Sequence, residues 1–156
     1  MKIYIGSDHA GYDLKEILKI FIQELGHEVD DKGDYTKSND DDYPDFTKLV
    51  ARAVAENAGS MGIIVGGSGQ GEAMCANKVK GIRAAVYYGG RGCQRDINGN
   101  KMGVVASSRI HNNANMLSLG ARFICVRKAK KAVKTFIETP FSNDERHIRR
   151  INKLES

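Results

Sequence analysis

The sequence has few of the features that mark membrane, secreted or nucleic-acid-binding chains. No apolar run in its 156 residues approaches the ~20 that a bilayer-spanning helix needs. The opening Met1-Lys2-Ile3-Tyr4-Ile5-Gly6 meets Asp8 and His9 too soon to form a secretory signal, so a cytoplasmic location is the expectation. Cysteine is scarce: Cys75, Cys93 and Cys125 are odd in number and far apart, with no C-x-x-C pair to frame a disulfide or a zinc site. Aromatic residues make up only 7% of the chain and form no stacking motif. The net charge of +5 is spread along the chain, denser only at 127–134 and 146–153, and so argues against a nucleic-acid partner. A small anionic substrate accounts for that charge at least as well.

What is present fits one globular domain over residues 1–156, with 41% hydrophobic and 28% charged residues. Lys2 to Gly6 predicts a strand, and Leu14, Ile17, Leu18, Phe21 and Leu25 follow at the spacing of one helix face, stopped by Gly26. His27 to Asp31 predicts a second strand. A polar, acidic stretch from Lys32 to Asp42 then leads to Tyr43-Pro44, where proline favours a helix start, and Phe46, Leu49, Val50 and Val54 supply its apolar face. Met61 to Val65 has strand length and enters a glycine-rich turn with a helix expected from Glu72 to Lys78. Ile82 to Tyr87 predicts a fourth strand, and Asn115 to Leu119 together with Phe123 to Val126 a fifth. Ala129, Ala132, Val133, Phe136 and Ile137 mark a further helix. Gly89 to Gly103 has no clear period and reads as a long loop or broken helix.

Strands alternating with helices predict an α/β fold: a three-layer, Rossmann-like, five-stranded and mostly parallel sheet with helices on both faces. Ligands in that architecture sit beyond the carboxyl ends of the strands, which directs attention to the loops after the first, third and fourth.

The loop after the third strand, Gly66-Gly67-Ser68-Gly69-Gln70-Gly71-Glu72, can bring backbone N–H groups close to an anion. It is not a dinucleotide fingerprint, because G-x-G-x-x-G counted from Gly67 puts Glu72 at the last place, where its charge would face the pyrophosphate. Nor is it a P-loop, which needs Lys and then Ser or Thr after Gly71. N–H donors, the Ser68 hydroxyl and a carboxylate remain, the parts needed to remove a proton beside a carbonyl and stabilise the resulting oxygen charge. On the motif alone, Glu72 can equally be a carboxylate that complements the helix dipole, worth ~0.3–1 kcal/mol.

The motifs Gly6-Ser7-Asp8-His9-Ala10-Gly11, Asp42-Tyr43-Pro44, Gly66 to Glu72, Ala76-Asn77-Lys78, Gly81-Ile82-Arg83-Ala84 and Ser108-Arg109-Ile110-His111-Asn112-Asn113-Ala114-Asn115 stand in one order along the chain. With Arg146-His147-Ile148-Arg149-Arg150 near the end, their combination closely resembles ribose-5-phosphate isomerase type B, a family that also includes galactose-6-phosphate isomerase subunits and enzymes acting on allose 6-phosphate. The resemblance implies interconversion of ribose 5-phosphate and ribulose 5-phosphate through a cis-enediol, with no cofactor and no metal. Isomerisation of a hexose 6-phosphate, and a non-catalytic sugar-phosphate sensor, are the alternatives.

The same resemblance implies the roles of individual residues. One group of the family uses a cysteine base at the end of the third strand, where this chain has Gly66; the other uses a glutamate at the position of Glu72, and this chain resembles that group. Cys75 matches neither position and reads as a packing thiol. His111, helped by Asp8, is expected to open the furanose ring, and Ser68 with Gly67, Gly69 and Gly71 to hold the reacting oxygens. Tyr43 and Asn112 are expected to orient hydroxyls. His9, Arg122, Arg146 and Arg150 are expected to hold the phosphate, the last two being four residues apart and so on one helix face. Family members are dimers, often dimers of dimers, whose active sites are built from two subunits; a C-terminal helix at about 142–155 is expected to pack on a partner. The stretch from about Gly89 to Ser107 departs from the family in being longer than the usual connection.

Overall fold

A computed structural model of the chain describes residues 1–38, 40–90, 92–96 and 99–154. It contains a five-stranded sheet formed by β1 (Lys2–Ser7), β2 (Glu28–Asp31), β3 (Met61–Gly66), β4 (Ala84–Tyr87) and β7 (Met116–Gly120), in the order β2-β1-β3-β7-β4. Every pair in it is parallel, with Ile5 beside Ile63 and Ile63 beside Leu117 through the centre.

Successive side chains of a strand point to opposite faces, so a strand buried on both sides must be apolar at nearly every position. Ile3, Ile5, Ile63, Val65, Leu117 and Leu119 face one core, shared with α1 (Tyr12–Glu24), α4 (Val104–Asn112) and α5 (Val126–Glu138). Tyr4, Ile64 and Met116 alternate with them and face the other core, under α2 (Tyr43–Glu56) and α3 (Gln70–Ala76). Leu14, Leu18 and Ile22 of α1 and Val50, Ala51 and Val54 of α2 are buried, at the helical spacing that the sequence displays.

β1 leads through α1 to β2 on one side, and the chain then returns through α2 to β3 on the other side of β1. Helices therefore leave β1 and β3 toward opposite faces, and a crevice opens between the carboxyl ends of these two strands.

Three expectations are corrected. Phe123 to Val126 adds nothing to the fifth strand: Phe123 and Ile124 lie in the turn that leaves β7, and Val126 already begins α5. The segment read as a loop or broken helix carries a short antiparallel hairpin, β5 (Cys93–Arg95) with β6 (Lys101–Gly103). Directly after it comes α4, which the pattern Val-Val-Ala-Ser-Ser-Arg-Ile does not announce. One buried position of α4 is a serine, Ser108, whose hydroxyl donates to Val105 O at 2.8 Å. A helix that hides a polar residue this way blurs its own apolar stripe. The terminal helix, α6, spans Glu145–Asn152, shorter than the 142–155 expected, and Glu155 lies outside the described residues.

Candidate active site

The glycine-rich turn takes its shape from β7. The carbonyls of Gly66 and Gly67 accept the N–H groups of Ala121 and Arg122 at 2.8 and 3.0 Å. In a trans peptide C=O and N–H point in opposite directions, so the N–H groups of Gly67 and Ser68 face away from that segment. Gly69 stands at φ +76°, where a β-carbon would come within 2.9 Å of the Leu119 carbonyl carbon, so only glycine fits. The Ser118 hydroxyl holds the Gly69 carbonyl at 2.6 Å. Ser68 Oγ accepts the Gln70 N–H at 3.3 Å as α3 begins.

Glu72, in the first turn of α3, is only 4% exposed and bends back over the end of β3. A β-carbon on Gly66 would stand 1.6 Å from Glu72 Oε1, so the carboxylate occupies the space a side chain at 66 would need. Burial pushes the Glu72 carboxyl above its ordinary value, and the charge of Asp8 adds to the rise. Asp8 is itself buried, accepts the Gly11 N–H at 3.1 Å, and is pushed up mainly by desolvation. Two carboxyl groups on neighbouring strand ends thus both favour their protonated forms more than free carboxylates do, which brings their proton exchange nearer to neutral pH.

His9, Arg122 and Tyr43 border the same crevice. His9 donates its backbone N–H to Asp41 Oδ2 at 2.8 Å, and its Nδ1 is bonded to Asp41 Oδ1. That carboxylate holds the imidazole pKa above its usual value against the opposing charge of Arg122. The Arg122 guanidinium lies against Gly67, and the Tyr43 ring lies against Gly71, each about 3 Å from where a β-carbon would be. Asp8, His9, Tyr43, Ser68, Gly67, Gly69, Gly71, Glu72 and Arg122 are therefore brought to one end of the sheet.

The remaining candidates are not. α4 ends at Asn112, and β7 starts four residues later, so His111 and Asn112 sit at the amino end of the sheet. β7 alone separates them from Glu72 by about 16 Å, five residues at ~3.3 Å each. Arg83, which precedes β4, confirms the placement by donating from Nε to Asn112 O at 3.1 Å. α6 packs there too: His147, 4% exposed, lies against His111 with ring centroids 4.7 Å apart, and its Nδ1 is 2.8 Å from Ser142 Oγ. Burial and then the charges of Arg146 and His111 hold the His147 pKa down. Arg146 is partly exposed and Arg150 exposed on the same helix. A cavity of about 650 Å³ at this end is lined in part by Lys78, Arg83, Ser108 and Asn112, and by none of the crevice residues.

Sequence reasoning missed two residues that touch candidates and left a third, His147, without a role. Asp41 is lost in the acidic run Asp40-Asp41-Asp42, where nothing distinguishes the carboxylate that turns inward. Gln94 lies in the hairpin, with its side-chain nitrogen 2.6 Å from Ser107 Oγ and 3.1 Å from His111 Nδ1. His147 stands inside a motif quoted for its arginines. The spacing of Arg146 and Arg150 points to their helix face, but the buried histidine between them is what docks α6.

The chain is similar to known proteins over nearly its whole length. The family model described as Ribose/Galactose Isomerase matches residues 3–154. A ribose-5-phosphate isomerase B from Mycobacterium tuberculosis is 39% identical over 154 residues, covering 99% of this chain and 88% of the relative. A galactose-6-phosphate isomerase subunit from Streptococcus pyogenes is 35% identical, covering 99% of each. The crystal structure of ribose-5-phosphate isomerase B from Mycoplasma genitalium with bound ribulose-5-phosphate superposes with a TM-score of 0.87 at 37% identity, covering 99% of this chain and 93% of that one. With the fold and nearly the whole length shared, this chain belongs to the Ribose/Galactose Isomerase family.

Proposed function

We propose that this chain interconverts ribose 5-phosphate and ribulose 5-phosphate, with Glu72 as the base that moves a proton between C2 and C1. The observation that carries this reading is the buried Glu72 carboxylate, raised in pKa, lying over Gly66 beside Asp8 and the amides of the glycine-rich turn. Glu72 takes the proton from C2, and the released electron pair forms the C1–C2 double bond of a cis-enediol as O1 gains a proton. Return of the proton to C1 and loss of one from O2 give the ketose. The N–H groups of Gly67 and Ser68, the Ser68 hydroxyl and the backbone at Gly69 and Gly71 face the oxygens on which charge develops. Neither step calls for a metal or a cofactor.

Asp8 and His111 open the furanose ring in this reading, Tyr43 and Asn112 orient hydroxyls, and His9, Arg122, Arg146 and Arg150 hold the phosphate. Within one chain His111, Asn112 and the two α6 arginines lie at the far end of the sheet from Glu72. A second copy must therefore supply them, and the functional unit is a homodimer with shared sites, or a dimer of dimers. An isologous pairing meets this need twice, because each copy both lacks and offers the same group. The proposed setting is the cytoplasm, where free thiols at Cys75, Cys93 and Cys125 persist.

Solvent-deuterium incorporation with ribose, allose and galactose phosphates tests chemistry and substrate together. Exchange at the carbon next to the carbonyl, fastest with ribose 5-phosphate, supports the proposal; binding without exchange reduces the chain to a sugar-phosphate sensor. The Streptococcus pyogenes relative keeps a hexose 6-phosphate as the second reading, and a larger specificity constant for that class would select it.

A further inference from the structure

His9 has two ring nitrogens, and only one of them is available to a ligand. Its Nδ1 and its backbone N–H are both committed to the Asp41 carboxylate, one to each oxygen. The Asp41 side chain is 8% exposed, whereas that of His9 is 31% exposed. Among the described residues Nε2 has no hydrogen-bond partner, on an accessible ring whose orientation a buried carboxylate fixes at two points. The charged groups that face this ring come from three segments: Asp8 after β1, Asp41 before α2, and Arg122 after β7. Arg122 opposes a positive charge on His9, and the two carboxylates favour it.

We propose that Asp41 is a positioning residue of the phosphate site, directing His9 Nε2–H to the sugar phosphate beside Arg122. The inference rests on the reading of His9 as a phosphate ligand and names the group that makes it an effective one. A neutral imidazole presents an N–H at either nitrogen, whereas a charged ring anchored through Nδ1 presents a cationic donor at Nε2 alone. Without Asp41, burial and the charge of Arg122 both favour the neutral ring and only Asp8 opposes them, so His9 gives up its charge at a lower pH. A carboxylate that only tied the 32–42 segment to β1 would have no such pH dependence.

The test compares the parent protein, Asp41→Asn and His9→Gln across about pH 6 to 9, reading KM and kcat for ribose 5-phosphate. The ring resonances of His9, assigned by their loss in His9→Gln, are followed in parallel with and without inorganic phosphate. Asp41→Asn should raise KM roughly tenfold at the alkaline end and less than about threefold at the acid end, with a smaller effect on kcat. His9 should titrate above 6.5 in the parent and lower in Asp41→Asn. A KM ratio that is constant with pH, or a parent His9 titrating at or below 6.5, overturns the inference. Should Asp41→Asn fail to fold, that parent titration still decides. If His9→Gln changes neither KM nor the response to inorganic phosphate, the phosphate-site reading fails, and the role of Asp41 with it.

Discussion

The carboxylate of Glu72 fills the space above the α-carbon of Gly66, with Oε1 1.6 Å from the point where a β-carbon would stand. Residue 66 ends β3 and residue 72 lies in the first turn of α3, so a strand end and a helix start converge on one position at the mouth of the crevice. A side chain at 66 and a carboxylate from 72 exclude each other there. The two choices of base that the resemblance implies, a cysteine at the first position or a glutamate at the second, would thus deliver a proton acceptor to the same place by different routes.

Gly66→Ala should therefore disable the chain while leaving its fold intact. The added methyl displaces a flexible carboxylate, which swings aside at little cost to the backbone. Turnover should fall by ~10²–10⁴, the usual contribution of a positioned base, with KM changed much less. Steady-state kinetics and circular dichroism check this, and unaltered turnover would show that the Glu72 position is not critical.

Glu72→Gln should reduce turnover similarly and, unlike most catalytic losses, stabilise the protein. The folded-state pKa of Glu72 is raised from 4.5 by burial, so its ionised form is held less well in the folded chain than in the unfolded one. The penalty is absent below the unfolded value, grows as pH rises through it, and levels off above the folded value. Thermal unfolding should show the variant gaining about 2–4 °C per kcal/mol near neutral pH and nothing at low pH. An equal gain at every pH would point to packing instead.

The acid limb of kcat/KM should lie above the ordinary carboxylate range. Glu72 must be ionised to accept a proton, and its raised pKa moves that limb upward from 4.5. A pH–rate profile of the parent protein checks the direction. A limb at or below 4.5 would assign the base elsewhere.

Mixing two inactive variants should restore activity if sites are shared between copies. A dimer of one Glu72→Gln and one His111→Ala chain has both lesions in one site and none in the other. Random reassortment after joint refolding yields half mixed dimers, and hence about a quarter of the parent activity. No recovery would place Glu72 and His111 in the same chain's site, against their separation by the length of β7.

Much of the fold was legible in the sequence because its central strands and outer helices carry strong, simple periods. Ile3 to Ile5 and Ile63 to Val65 are apolar throughout since both faces are covered, and α5 shows its buried set at helical spacing. α4 was not legible, because a short helix that buries Ser108 and Arg109 lacks an apolar stripe. The hairpin was hidden for a related reason: β5 is exposed along its length, so no burial constrains its pattern.

By itself, the sequence determined the layered α/β fold and the family and supplied the candidates for the chemistry, since these follow from periodicity and from motifs of fixed order. Only the tertiary structure decided which candidates meet. Parallel strands collect residues that follow β1, β3 and β7 at one end and leave those preceding β7 at the other, a division no linear motif records. It also decided that Asp41, of three consecutive aspartates, is the one that holds His9. An inward turn of one carboxylate is a consequence of the path between β2 and α2, and composition carries no trace of it.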